Sequence, residues 1–175
     1  MLKHYLKILE KYKTPKKIIN HSLGVYRVSK LLVERLGKEG FKIEKQAVLA
    51  AAILHDVDKI YTKKEPQKHG IFAETILKPE KINKKVLRII KNHTASIILE
   101  KNFYKSSLED KLVYYADKIF EQKICSLEKR IRNWKIRSNL DVLKAEKLLN
   151  KMKKLEKEIL QKANITFTEL ENLVS

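Results

Sequence analysis

The chain has 175 residues and a single cysteine, Cys125, so it can form no internal disulfide and no thiolate metal cage. Any metal site has to be built from histidine and carboxylates. Only four glycines and three prolines punctuate the sequence, too few turn-formers for a fold of many short strands. Long apolar runs are missing too. The longest spans Ala47 to Leu54, far below the roughly 20 residues that cross a bilayer. The N-terminus, broken by Lys3, His4, Lys7 and Glu10, lacks the apolar core of a signal peptide. The expectation is a cytoplasmic protein with no membrane association. Acidic residues are scarce: 21 Asp and Glu against 39 Lys and Arg leave a formal charge of +18. A positive field of that size concentrates phosphates, nucleic acids or anionic surfaces. The lysines, however, are spread along the whole chain beside Glu or apolar residues, as on an ordinary solvated helical surface, so charge alone marks no binding face.

What is present is helical periodicity. Apolar residues recur at three- and four-residue spacing in most segments, and 43% hydrophobic content suits one soluble core, so the expected fold is all-α. Leu2, Leu6 and Leu9 predict a short first helix. Thr14-Pro15 reads as an N-cap followed by proline at the first helical position. It opens a helix to about Leu36 whose inner face carries Ile18, His21, Val25, Val28, Leu32 and Leu36. Gly37 and Gly40 close it, and a third helix runs from about Ile43 to Asp56. "YTKKEPQK" (61–68) predicts a loop, His69-Gly70 the start of a short helix through Leu77, and "NKKVLRIIKNHTA" (83–95) the next helix. Ser106 with Glu109 fits a capping box for a helix carrying Asp117.

Residues 1–120 make the main helical unit, and 121–175 read as a basic C-terminal helical appendage. Residues 120–163 hold 13 Lys/Arg against 6 Asp/Glu, with a turn signal only around Ser138-Asn139. Ala145, Leu148, Met152, Leu155 and Ile159 form a two-heptad stripe, too short for a free coiled coil. Docking on the main unit is the expectation and a dimer contact the alternative, so monomer and homodimer both stay open. "TFTELENLV" predicts a short capped helix at the end.

Four of the five histidines, His21, His55, His69 and His93, fall at helix ends or inward faces. Imidazoles and carboxylates suit iron, manganese, zinc or nickel, and ligands drawn from separate helices are how a bundle builds a metal site. Adjacent His55 and Asp56 would point about 100 degrees apart on a regular helix. Both reach one site most easily at a helix-to-loop turn, where the sequence places them. For His69 and His93 the residues leave two readings: further ligands, or ordinary helix-end histidines, the dipole favouring a protonated His93 near a C-terminus.

With "HSLGVYRVSKLL", "AAILHDVDK", "HGIFAETIL", "IIKNHT" and "LVYYADKI" in this order over residues 15 to 120, the chain resembles the HD-domain metal-dependent phosphohydrolase superfamily. The resemblance implies a helical bundle in which His21, His55, Asp56 and Asp117 hold one metal. It is similar in particular to members with two further histidines and two metals, which implies His69 and His93 on a second ion and Asp56 as the bridge. The cofactor so implied is a pair of divalent ions, iron first, with manganese, cobalt, nickel or zinc as alternatives. Among such members it resembles the small enzymes that split diadenosine tetraphosphate. It differs from them in carrying Asp58 where they have a small residue, and the basic appendage where they have a Glu-Pro-Gly-Arg-like stretch.

The implied activity is hydrolysis of a phosphoester or phosphoanhydride in a nucleotide, a dinucleoside polyphosphate or another phosphorylated small molecule. Metals would bind phosphoryl oxygen and lower the pKa of a bridging water, which would attack phosphorus. Lys59 would neutralise phosphoryl charge. Asp58 would act as acid or base, or salt-bridge Lys59. Thr94 and Arg27 are candidate phosphate contacts, with plain surface placement the favoured reading of Arg27. The alternative is a nucleic-acid phosphodiesterase or binding protein using the basic helices, with Trp134 the one nearby aromatic able to stack on a base.

Overall fold

In the computed structural model, residues 1–138 and 140–174 are described, and among them the chain is all-α. Nine helices follow in order: α1 Leu2–Lys11, α2 Lys16–Lys38, α3 Lys45–Leu54, α4 Phe72–Leu77, α5 Lys84–Lys91, α6 Leu108–Ile119, α7 Leu127–Ser138, α8 Val142–Lys162 and α9 Phe167–Val174. Short 3-10 turns link α3 to α6. Asn139, half of the expected turn signal, lies outside the described residues.

The centre of the bundle is α3. A helix apolar on all sides is stable only if surrounded, and every residue from Ala47 to Leu54 is buried, against α1, α2, α5 and α6. Around it, α2 buries Val25, Val28, Leu32 and Leu36, as expected, while Ile18 stays half-buried at the edge of the site. In α6, all residues from Glu109 to Ile119 are buried, charged ones included. The charges are matched: Asp110 meets Arg88 of α5 and Asn92, which caps that helix, and Lys111 reaches Glu158 of α8 at 3.1 Å.

Gly24 explains how α2 and the end of α6 come so close. A Cβ there would lie 1.9 Å from a ring carbon of Phe120, so only glycine admits that ring, which in turn packs 6.2 Å from the His21 imidazole.

Two helix starts differ from the sequence expectation. Helix α2 begins at Lys16 with Pro15 as its N-cap and no side-chain cap bond. Thr14 is engaged in closing α1, its N–H donating to Leu9 O at 2.9 Å. The capping box of α6 is Ser107 with Asp110, one residue beyond the expected pair, because the Ser106 hydroxyl donates to Phe103 O instead.

The C-terminal helices join the same hydrophobic core as the first 120 residues. Ala145, Leu148, Met152, Leu155 and Ile159 are all 3% exposed or less, packed on α6, α7 and the 3-10 turn Ala95–Leu99. Thr166 and Glu169 cap α9, which lies against α2. No described helix is long and apolar enough to cross a membrane.

Candidate metal centre

Where α3 ends, the backbone tightens. Val57 N–H donates to Leu54 O at 3.0 Å and Lys59 N–H to Asp56 O at 3.1 Å, three-residue turns that replace the helical ladder. This turn re-aims neighbouring side chains, so His55 Nε2 and Asp56 Oδ2 come within 3.6 Å despite their adjacency. His93 sits in a similar tight turn after α5. His69 follows the 3-10 turn Pro66–Lys68, while α2 supplies His21 and α6 supplies Asp117.

These six side chains meet. His21 Nε2 is 2.9 Å from Asp117 Oδ1 and 3.3 Å from His55 Nε2, and His55 Nε2 is 3.6 Å from Asp117 Oδ1. On the other side, His69 Nε2 lies 3.2 Å from Asp56 Oδ1 and 3.0 Å from His93 Nε2, and His93 Nε2 is 3.6 Å from Asp56 Oδ1. Asp56 thus gives one oxygen to each histidine pair, Oδ2 facing His55 at 3.6 Å and His21 at 3.9 Å.

The imidazoles fit a cation. In each, Nδ1 lies on an oxygen away from the centre: Glu121 O for His21 at 3.2 Å, Ala52 O for His55 at 2.9 Å, Asp58 Oδ1 for His69 at 2.8 Å and Ile90 O for His93. Donating that proton outward leaves the Nε2 lone pair pointing inward, the arrangement by which outer partners orient metal-binding histidines. Two pairs of inward lone pairs at such separations repel unless a positive charge lies among them. Ligand atoms of His21, His55 and Asp56, of His55, His93 and Asp117, and of Asp56, His69 and His93 each lie within 4.8 Å of one another.

The electrostatics suit the same role. Burial disfavours the charge on Asp56, but His55 and Lys59 outweigh it and hold its carboxyl well below the usual range. Burial likewise opposes ionisation of Asp117, and Lys118 and His21 overcome it. Burial pushes His93 down to about 4, keeping it neutral. His69 is the exception: burial opposes its charge, but Asp56 and Asp58 prevail and raise it to about 9, so an ion bound there has to displace its Nε2 proton.

The other expected residues are distributed differently. Lys59 Nζ pairs with Asp56 Oδ2 at 2.6 Å, so the expected bond to Asp58 is not made. Asp58 is wholly buried, and besides His69 it accepts the N–H groups of Gly70 at 2.7 Å and Ala73 at 3.1 Å. A carboxylate so enclosed holds His69 and the start of α4, a positioning role in place of the expected pairing with Lys59. Gly70, at φ +79, makes this possible by passing close to Thr94, where a Cβ would meet Thr94 Cγ2 at 2.9 Å. Thr94 lines the cavity beside His69 and His93. Arg27 does not: it is exposed over the Phe120 ring in a separate groove, the surface placement rather than the phosphate contact of its two readings.

Two cations and an aromatic escaped sequence reasoning as parts of this centre. Lys118 Nζ is buried between Asp117 Oδ2 and His93 O, the latter at 2.7 Å. Arg130 of α7 donates to Asp117 O at 3.1 Å and meets Glu121 at 3.2 Å. With Trp134 they line a cavity of about 380 Å³ that opens onto Asp56, His69, His93 and Asp117. The adjacency of Lys118 to Asp117 was the only available signal; Arg130 is one of many basic residues with nothing to single it out.

The family model described as "HD domain" matches residues 18–121, the segment from α2 to the end of α6 that carries all six ligand candidates. This chain belongs to the HD domain family. HD domains bind divalent metals and are generally hydrolases, which accords with the inward-facing His and Asp cluster. The HD protein is also 27% identical over 124 residues to a tRNA (cytidine(56)-2'-O)-methyltransferase from Picrophilus torridus. That match covers 65% of this chain and 34% of the relative, so the chain spans about a third of that protein's length. No solved structure matches.

Proposed function

We propose that this HD protein is a metal-dependent phosphohydrolase that cleaves a phosphoester or phosphoanhydride in a nucleotide or dinucleoside polyphosphate. The observation that carries the reading is Asp56, whose two oxygens face separate histidine pairs at the floor of a cavity that also presents Lys59, Lys118 and Arg130. Two divalent ions fit this arrangement, His21, His55, Asp56 and Asp117 holding one and Asp56, His69 and His93 the other. Iron stands first, with manganese, cobalt, nickel and zinc as alternatives for a donor set without sulfur.

Bound divalent ions supply Lewis-acid polarisation of phosphoryl oxygen and acidify a coordinated water. The chain does the rest. The outward Nδ1 contacts fix the imidazoles before substrate arrives. Lys59, its side chain half-exposed, can leave Asp56 and follow the charge of an entering phosphoryl group. The Thr94 hydroxyl offers a donor at the cavity wall. A panel of nucleotides and dinucleoside polyphosphates with manganese, iron or cobalt tests the reading, and absence of phosphate release from every member overturns it.

A second reading is a nucleic-acid phosphodiesterase or binding protein. The charge of +18, the exposed Lys129, Arg132, Lys135 and Arg137 on α7, and a relative named for a tRNA substrate favour it. Gel shifts at about physiological salt separate the two, because purely electrostatic binding fades steeply there.

A further inference from the structure

Trp134 is the only tryptophan in the chain, and it stands half-buried at the junction of two cavities. One is the cavity over His69 and His93; the other, of about 530 Å³, opens onto His21. Its ring touches the cations of the centre: Arg130 Cζ lies 5.2 Å and Lys118 Nζ 5.8 Å from its centroid. Lys118 is at the same time paired with Asp117. A single lysine side chain therefore separates the metal-ligand carboxylate from the aromatic face.

The cavity over His69 and His93 is mixed in character. Asp56, Asp117, His69 and His93 line one part, Lys118 stands between Asp117 and the Trp134 ring, and Leu140 and Leu148 add apolar surface beside Ser138 and Lys144. Its volume of about 380 Å³ falls in the ~300–1,000 Å³ range of small-molecule sites. Inorganic phosphate or a sugar phosphate would match the charged part and leave the aromatic and aliphatic part without a counterpart. A ligand with phosphate at one end and a flat, weakly polar ring at the other matches both. Arg130 lines this cavity with its guanidinium only partly engaged: its Nε, shielded from solvent, has no hydrogen-bond partner among the described residues.

We propose that α7 completes the centre as a nucleotide subsite, in which Trp134 stacks on the base while Arg130 and Lys118 receive the phosphate. The proposal deepens the phosphohydrolase reading and rests on it for the orientation of the ligand, phosphate toward Asp56. Stacking on an aromatic is tolerant of base identity, so the subsite takes nucleoside phosphates as a class.

Because Trp134 is the sole tryptophan, its emission reports directly on stacking, with or without turnover. The full chain, as purified and after chelation, is titrated with AMP, GMP, CMP, UMP, ribose 5-phosphate and inorganic phosphate. Saturable quenching is expected with the nucleotides and not with the two ligands that lack a base. Calorimetry should then show nucleotide affinity about tenfold weaker in Trp134→Ala, a stacking contact of about 1.4 kcal/mol. It should be nearly unchanged in Trp134→Phe, and phosphate affinity should be the same in all three proteins. Equal responses to nucleotides and ribose 5-phosphate, or unchanged nucleotide affinity in Trp134→Ala, overturns the subsite. Release of phosphate from non-nucleotide esters alongside either result would leave the hydrolase standing without it. Saturable quenching with no phosphate release from any ester would do the opposite.

Discussion

Lys59 Nζ lies 2.6 Å from Asp56 Oδ2, the oxygen that also faces His21 and His55. An ammonium there competes with a divalent ion for the same carboxylate lone pairs, and its side chain, 50% exposed, is free to withdraw. Replacing it with a neutral residue of similar length removes the competitor and a phosphate partner together. Lys59→Met is expected to bind manganese several-fold more tightly in a chelator competition and to release phosphate more slowly. Weaker metal binding in the variant would show that Lys59 supports the centre rather than competing for it.

Asp56→Ala removes the one residue shared by both histidine pairs. Bound metal and phosphate release are expected to disappear together, as measured by elemental analysis and the nucleotide panel. A variant that keeps full metal content and full turnover contradicts the assignment.

His69→Ala and His93→Ala test the second ion. Metal content should fall from about two ions to about one while circular dichroism stays helical, and phosphate release should slow by orders of magnitude. Unchanged stoichiometry in both would leave only the site of His21, His55, Asp56 and Asp117.

Asp58→Asn keeps an acceptor but loses the charge that orients His69. Loss of an outer partner of this kind typically costs about 10- to 100-fold in metal affinity, and here the loss is expected at one ion only. If instead turnover collapses with both ions held normally, Asp58 acts on substrate after all.

Glu156 gives a pH-dependent prediction away from the candidate metal centre. Burial raises its pKa above the usual carboxylate value, against the opposing Tyr115 hydrogen bond of 2.8 Å. The unfolded chain therefore loses this proton at lower pH than the folded one, so stability falls as pH rises through the interval between the two values. Glu156→Gln keeps an acceptor for Tyr115 without the buried charge. Its melting temperature should exceed that of the parent at neutral pH, with the difference shrinking as pH falls toward 4.5. A gap that widens on acidification would contradict this.

The fold was legible where periodicity and composition act together. The uniformly apolar run Ala47 to Leu54 had to be enclosed, and the stripe from Ala145 to Ile159 had to be covered; both are. Helix starts were less legible because adjacent residues offer equivalent chemistry. Ser106 and Ser107, followed by Glu109 and Asp110, allow two capping boxes, and only the turn at Phe103 selects the second. In the site, four of the five histidines stood out by their places at helix ends and inward faces and the family resemblance supplied the ligand set with Asp56 and Asp117, whereas Lys118 and Arg130 were hidden among 39 basic residues. The partners of Asp58, the N–H groups of Gly70 and Ala73, were not legible because the loop that brings them there follows a path no local pattern encodes.

The family match stops at residue 121, yet Arg130, Trp134, Ser138 and Lys144 line the cavity beside Asp56. Part of the cavity wall therefore comes from helices beyond the matched segment, while every ligand candidate lies within it, so substitutions on α7 and α8 that keep the shared core can reshape what the cavity admits without touching a ligand candidate.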